Sequence, residues 1–383
     1  MKIADLVAAM ERIAPPDLAE SWDNVGLLIG AHDALLAGPL LLTIDLTEAV
    51  AAEAARLKCG AVVAYHPPIF EAVKRLTDET ETGRVALQLI GAGVAVYSPH
   101  TALDGAPGGM ADWLAEGLLG PSDVGSGGGG DRRALRAHAS LAPTQELKVV
   151  TFVPMEKLDD VRKAMASAGA GIIGGYEVCS FSTTGHGTFL GSAGTQPAVG
   201  AAGNLESVAE QRLEMVCSRR ALALTIQTLR QFHPYEEPAI DVYELVARPT
   251  RAVGAGRKIA LDNGATIDEL AVRLKAHLDV KVLQVAMGPR TGDTPIERIG
   301  VCPGAGGSLV PLALEADCQL FVTGEMRHHE IRQAVAAGLS VMLAGHTQTE
   351  RPYLRLLAPR LRKELGGHPV LVSAEDREPW VSR

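Results

Sequence analysis

Three histidines stand directly after segments that are typical of buried β-strands. His66 follows AVVAY, His100 follows VAVYSP and His346 follows LSVMLAG. The carboxyl ends of strands in an open α/β sheet lie along one edge, and ligands bind outside that edge. We therefore expect the three imidazoles to converge, although they are far apart in the chain. A single histidine in such a place is more often a loop residue bonded to a backbone carbonyl, so the prediction depends on the repetition.

Two carboxylates follow two of these histidines at the same spacing. Asp104 lies four residues after His100, and Glu350 lies four residues after His346. On a helix this spacing puts both side chains on one face. Imidazole and carboxylate ligands suit zinc, manganese or iron, and a bridging carboxylate would hold two ions about 4 Å apart. The alternatives are that Asp104 caps a turn or helix and that His346 and Glu350 form a solvated pair.

Two further segments also connect strands to helices. CPGAGGS, at 302–308, is either an anion-binding turn at the same sheet edge or a tight turn without a ligand. GEMRHHE places Glu325, His328 and His329 beyond another strand, where they would support the metal ligands or face a substrate; alternatively the two histidines are a surface pair. Water bound to a divalent ion is acidified and attacks phosphate esters, amides or ring carbons, so the chemistry expected here is hydrolysis.

The elements that would position these residues alternate between strand and helix. Strands rich in Val, Leu and Ile alternate with helices of about ten residues in 39–120 and again after residue 251. This order is typical of an α/β domain with a mostly parallel sheet flanked by helices. A Gly-rich stretch, PSDVGSGGGGD, interrupts the pattern at 121–131 and has the composition of a flexible linker.

The segment after this stretch has an element order of its own. It reads as β-α-β-β-α-β, the order of a ferredoxin-like α+β unit. We therefore predict one α/β domain made of 1–126 and 251–383, split by an inserted domain at 131–250, and we expect the pattern to resume in the same sheet.

Composition restricts the class of protein. The chain has 383 residues, enough for two domains, and a net charge of -9 from 45 acidic and 36 basic residues. No basic cluster is available for phosphates, so direct nucleic-acid binding is not expected. The five cysteines are widely spaced and form no C-x-x-C pair, which favours a reducing compartment. No apolar run is long enough for a membrane span or signal peptide, so we expect a cytoplasmic protein.

Several motifs together resemble one family. In chain order they are SWDNVGLLIG, YHPPIF, SPHTALD, GAGGS, TGEMRHHE and GHTQTER. On these motifs the sequence is similar to the Nif-three-like family, also known as dinuclear-metal-centre hexameric proteins or GTP cyclohydrolase type-two homologues. The segment ending HPYEEPAIDVYELV resembles the PII/CutA-like domain inserted in longer members. The resemblance implies a homo-oligomer, expected to be a hexamer, with metal sites facing an interior space.

The resemblance also implies a ligand set. The family's metal ligands fall on His66, Asp104, His346 and Glu350, with Glu350 as the bridge. Many members have two consecutive histidines where this chain has Tyr65 and His66. A neutral phenol, with a pKa of about 10, is a poor ligand, so we expect one or two ions with unequal occupancy.

The leading hypothesis is a metal-dependent hydrolase of a small phosphorylated or nucleotide-like substrate. In this hypothesis His100 or His329 moves protons. The rival hypotheses are a non-catalytic scaffold that responds to metal or metabolite, and a protein of metal trafficking.

Overall fold

Helices and strands alternate along most of the chain. The computed structural model describes residues 1–120, 131–289 and 294–380. The helices in this part of the chain are α1 (Ile3–Ile13), α2 (Glu48–Arg56), α3 (Glu81–Ala92), α4 (His100–Gly105), α5 (Met110–Glu116), α6 (Leu158–Ser167), α7 (Leu222–Phe232), α8 (Ile267–Leu278), α9 (Val310–Glu315), α10 (His328–Ala336) and α11 (Leu354–Glu364). The strands are β1 (Gly26–Ile29), β2 (Leu40–Thr43), β3 (Ala61–Ala64), β4 (Ala95–Ser98), β5 (Arg136–Ser140), β6 (Leu147–Val153), β7 (Phe181–Leu190), β8 (Leu205–Cys217), β9 (Ile240–Glu244), β10 (Arg248–Ala255), β11 (Arg257–Ala265), β12 (Gln284–Ala286), β13 (Ile296–Ala305), β14 (Leu320–Glu325), β15 (Ser340–Leu343) and β16 (Val370–Val372).

The chain divides into two compact units. The first consists of Met1–His138 with Thr250–Arg383, and the second of Ala139–Pro249. The sequence pattern predicts the insertion at 131–250, and the Gly-rich residues 121–130 that suggested its start lie outside the described residues. Among the described helices, none has the length and apolar character that a bilayer-spanning helix needs.

Two five-stranded sheets make up most of the first unit. Their orders are β1-β4-β3-β2-β16 and β11-β13-β14-β15-β12, and β5 and β10 form a separate pair. In the first sheet β16, β2, β3 and β4 are parallel and β1 is antiparallel. In the second, β13, β14 and β15 are parallel, and β11 and β12 are antiparallel at the edges. The parallel centres place several strand ends at one edge of each sheet.

The predicted α/β class is confirmed, but the expectation that the pattern resumes in the same sheet is wrong. After the second unit the chain starts a new sheet with β11, and of the strands described after residue 255 only β16 returns to the first sheet. The physical reason is that apolar periodicity shows that a strand is buried and says nothing about which sheet it joins.

One core lies between the two sheets. It contains Leu40 and Leu42 of β2 together with Val322 of β14 and side chains of α1, α5 and α11. Side chains alternate across a strand, so Leu41 faces the other way and packs with α2 and α3. Phe321 likewise packs with α9 and α10.

Local signals fix the helices that carry the chain between the strands of the first sheet. The Thr47 hydroxyl accepts a hydrogen bond from the Val50 amide (3.4 Å) at the start of α2. Thr80 accepts one from the Gly83 amide (3.1 Å) at the start of α3. That helix ends at Gly93, whose left-handed φ of 69° suits glycine.

The second unit has the element order β6-α6-β7-β8-α7-β9. Its four-stranded antiparallel sheet has the order β7-β8-β6-β9. Val149, Leu213 and Leu229 belong to a core between this sheet and its two helices. The order is that of a ferredoxin-like unit, and its relation to PII/CutA-like domains stays a prediction.

Candidate metal centre

Two predicted histidines and one predicted carboxylate meet at the strand ends. His66 follows β3 of the first sheet, and its amide donates to the Ile44 carbonyl (3.1 Å), which continues the pairing of β2 with β3. His346 follows β15 of the second sheet, and Glu350 lies between two short turns after it. One ligand atom from each of His66, His346 and Glu350 lies within 4.8 Å of the others. The site therefore joins the carboxyl edges of two sheets.

The Glu350 carboxylate lies between the two imidazoles. Its Oε1 is 3.4 Å from His346 Nε2, and its Oε2 is 3.5 Å from His66 Nε2. The residue is 2% exposed, and Oε2 is buried without a hydrogen-bond partner. A buried carboxylate oxygen without a donor is costly, and a cation between these groups would remove that cost. The donor set therefore fits a divalent metal ion.

Carboxylates hold the remote nitrogens of both imidazoles. His66 Nδ1 is 2.8 Å from Asp45 Oδ1, and His346 Nδ1 is 3.0 Å from Glu325 Oε1. A proton on each Nδ1 would leave the Nε2 lone pair free for a metal, as is common for metal-binding histidines. Burial lowers the pKa of His66, but the hydrogen bond with Asp45 and the nearby carboxylate of Glu350 outweigh burial and raise that pKa to about 10. The site therefore favours positive charge.

A glycine of the CPGAGGS segment allows the backbone to approach the centre. Gly304 has a φ of +60°, and a Cβ there would lie 2.6 Å from Glu350 Oε1 and 3.2 Å from His346 Nε2. Thr349 Oγ1 accepts from the Gly304 amide (2.9 Å) and donates to the His346 carbonyl (2.6 Å). These contacts fix the His346–Glu350 turn against β13.

Asp104 lies near the centre, and its carboxylate is hydrogen-bonded to Tyr65. The Tyr65 hydroxyl donates to Asp104 Oδ1 at 2.7 Å. Burial raises the pKa of Asp104 to about 8, although the bond from Tyr65 lowers it. Burial and the Asp104 charge raise the pKa of Tyr65 well above its usual value, so the phenol keeps its proton. Asp104 is not in the three-residue cluster, so its role as a ligand stays a prediction.

His100 is held by a buried carboxylate. Its Nδ1 is 2.7 Å from Asp23 Oδ1, whose side chain is fully buried. The Thr101 amide and hydroxyl also donate to Asp23. Burial raises the pKa of Asp23, but the bonds from His100 and Thr101 outweigh burial and lower it. The His100 ring lies 5.4 Å from the His66 ring, between centroids.

A cavity of about 360 Å³ opens onto the centre. His66, His346 and Glu350 line it, and so do Asp104 and His100. Its lining also includes two exposed rings, those of Trp22 and Phe70, with centroids 5.9 Å apart.

His329 lies elsewhere. It is exposed at the start of α10 and does not line this cavity. The prediction that it moves protons gains no support from this position.

Two carboxylates of the site are not among the residues predicted from the sequence. Asp45 follows β2 as His66 follows β3, so the strand-end rule would have indicated it. Asp23 lies in a loop before β1, and no spacing relates it to His100.

The whole chain is similar to proteins of one known family. The family model for Duf34/NIF3 (NGG1p interacting factor 3) matches residues 1–379. The GTP cyclohydrolase 1 type 2 homolog of Mycobacterium tuberculosis is 33% identical over 389 residues, which cover 99% of this chain and 97% of that protein. NIF3-like protein 1 of Bos taurus is 30% identical over 384 residues, covering 99% and 92%. The solved structure of a Bacillus cereus protein related to NIF3 has a TM-score of 0.64 and 29% identity, covering 100% of this chain and 99% of that one. The predicted family is therefore confirmed: the chain belongs to the Duf34/NIF3 family.

Proposed function

We propose that this protein is a metal-dependent hydrolase of a small phosphorylated or nucleotide-like substrate. The observation that carries the proposal is the buried Glu350 carboxylate between two imidazoles, with one oxygen lacking any donor. Bound zinc, iron or manganese would supply an acidified water and polarise the bond to be cleaved. The name of the mycobacterial and Bacillus subtilis relatives, GTP cyclohydrolase 1 type 2 homolog, supports a nucleotide-like substrate.

Each residue of the site has a separate role in this proposal. His66, His346 and Glu350 hold the metal, and Asp104 supplies a further carboxylate where a second ion binds. Asp45 and Glu325 keep the two imidazoles in the tautomer that binds metal. His100 moves protons, because Asp23 holds its Nδ1 and its ring lies in the cavity beside the centre.

The cavity suits a small molecule with a planar ring. Trp22 and Phe70 expose their rings, and the Trp22 ring lies 6.0 Å from the His100 ring, between centroids. Exposed aromatic faces stack on heterocycles of many kinds. We propose that the ring of the substrate stacks on these two side chains while its scissile bond faces Glu350.

Metal analysis and a hydrolysis screen test the proposal. Protein purified without added ions should contain zinc, iron or manganese and should turn over at least one nucleotide or phosphate ester. His346→Ala should lose both properties, whereas His368→Ala should keep both, because His368 bonds the distant Gly38 carbonyl. Metal-dependent binding of a protein partner without turnover would favour a scaffold instead. Transfer of the ion to another protein would favour metal trafficking.

Assembly belongs to the same proposal. The resemblance of this chain to the family implies a homohexamer in which the metal centres face an enclosed space. Light scattering at micromolar concentration should return six times the 40.2 kDa chain mass. A monomer mass would contradict the proposed assembly and would leave the metal centre of the single chain as it is.

A further inference from the structure

The second unit contains a cavity of about 550 Å³ that the proposed hydrolysis does not use. Phe152, Glu210 and Arg212 line it from β6 and β8. The residues that alternate with them, such as Val153 and Leu213, belong to the core on the helix side. The cavity therefore lies on the sheet face away from α6 and α7.

Most of the cavity wall is apolar. The apolar side chains include Phe152, Phe189, Leu190, Pro197 and Ala239. The HPYEEP segment, which follows α7, closes another side with Tyr235, Glu236 and Glu237. A concave apolar wall of this size with a few converging polar groups is typical of a small-molecule site.

One carboxylate in this wall is nearly buried and has no ion-pair partner within the described part of the chain. Glu210 is 9% exposed, and its Oε1 accepts a hydrogen bond from the Tyr235 hydroxyl at 2.7 Å. Burial and Glu210 itself raise the pKa of Tyr235, so this phenol remains a donor. Among the residues that the structure describes, no Lys, Arg or His forms an ion pair with Glu210. Burying a carboxylate is costly unless a cation pairs with it.

Two basic side chains near Glu210, those of Arg212 and His233, are engaged elsewhere. Arg212 Nε donates to Glu214 at 2.8 Å, and its guanidinium lies 5.9 Å from the Phe152 ring centroid. His233 Nδ1 accepts from the Tyr235 amide (3.1 Å), so its Nε2 carries the hydrogen and donates to the Phe152 carbonyl (3.0 Å). Burial also lowers the pKa of His233. This imidazole is therefore neutral and supplies no charge to Glu210.

A glycine keeps the position of Glu210 open. A Cβ at Gly187 would lie 2.1 Å from Glu210 Oε2, so only glycine allows the carboxylate to lie over this part of β7. Gly187 and Glu210 both line the cavity.

We propose that this cavity binds a small organic cation, an amine or amidine on an apolar or aromatic body, with Glu210 as its anchor. The cation would pair with Glu210 Oε2 through charge-assisted hydrogen bonds, and the body would lie against Phe152 and Phe189. Tyr235 positions the carboxylate, and Glu236 adds negative charge at the wall, whereas Glu237 forms an ion pair with Arg230 at 3.0 Å. The site lies in a different unit from the metal centre and does not depend on hydrolysis.

Calorimetric titration of the full chain tests the site with three probes of nearly the same shape. Benzamidine is the cation, benzamide the neutral analogue and benzoate the anion. Wild type should bind benzamidine saturably and in preference to the other two. Glu210→Gln keeps the size of the side chain and should weaken benzamidine about ten-fold or more, the effect of one charge-assisted hydrogen bond.

A matched variant separates the site from general charge effects. Glu206→Gln makes the same change on the same strand. Glu206 lies outside the cavity and accepts a hydrogen bond from the Ala201 amide (3.1 Å). This variant should bind benzamidine as wild type does. If Glu210→Gln fails to fold, Glu210→Asp keeps the charge and should bind more weakly while still preferring the cation. Absence of saturable benzamidine binding to wild type overturns the proposal. So does equal binding of benzamidine and benzoate, or benzamidine binding that the Glu210 variants leave unchanged.

Discussion

We expect Asp45 to act on the metal centre through His66 and not as a metal ligand. Its carboxylate holds the Nδ1 atom of His66 at 2.8 Å. Asp45→Asn keeps an oxygen that can accept this bond but removes the charge, so metal affinity should fall about 10–100-fold. Competition with a chelator measures the affinity. Asp33→Asn is the control and should leave affinity unchanged, because Asp33 pairs with Lys2 at the surface. An unaltered affinity in Asp45→Asn would show that Asp45 does not orient His66.

We expect Tyr65 to govern the proposed second ion. Its buried phenol donates a hydrogen bond to Asp104, and the family resemblance implies a histidine ligand at this position. Tyr65→His should therefore raise metal content per chain, whereas Tyr65→Phe, which adds no ligand, should not. Glu350→Ala should remove the ions from both positions, since its two oxygens face the two imidazoles. Metal analysis of the four proteins decides the matter, and two equally tight ions in the unaltered protein would contradict it.

The predictable residues of the site are those whose position follows from an element. His66 and His346 could be predicted because each lies shortly after a strand whose apolar sequence is easy to recognise. Glu350 followed from its spacing to His346. Asp23 could not be predicted, because it reaches His100 from a loop and only the folded chain brings the two together. The bond between Tyr65 and Asp104 is likewise a product of packing.

At the scale of elements, the site depends on one close contact. The end of β13 lies against the turn from His346 to Glu350. Gly304 and Gly366 have nearly the same φ, +60° and +61°, but only a Cβ at Gly304 would meet the metal centre. Each change to Ala should cost about 1 kcal/mol in backbone strain. Gly304→Ala should also displace Glu350 and lose metal, whereas Gly366→Ala should keep it. Thermal unfolding and metal content of the two variants separate strain from the contact. Equal metal content would show that Glu350 can move without losing the ion.

Most elements could be predicted from the sequence, but their partners could not. The sequence pattern predicts one sheet for the strands before His66 and His346, but they lie in different sheets. The two histidines are nevertheless close together, as expected for residues at the carboxyl ends of strands, because these ends of the two sheets meet. The antiparallel edges β11 and β12 carry no signal that distinguishes them from parallel neighbours, since alternation is the same in both.

At the scale of the whole molecule, the second unit should be separable from the metal centre. Its core contains side chains of β6, β8, α6 and α7, all within residues 139–249. The chain leaves and re-enters the first unit on β5 and β10, which pair with each other, so both ends of the insertion lie side by side. When the two ends of an insertion lie side by side, the insertion can be replaced by a short connecting turn.

We therefore expect that replacing residues 141–247 with a short Gly-Asn turn leaves a folded chain. Its metal content should equal that of the full protein, because His66, His346 and Glu350 and the carboxylates that hold them all belong to the first unit. Residues 139–249 alone should unfold cooperatively on heating and should contain no metal. Circular dichroism and metal analysis of both pieces test this. Loss of metal from the shortened chain while it remains folded would show that the second unit contributes to the centre, and an unfolded 139–249 piece would show that its own core does not suffice.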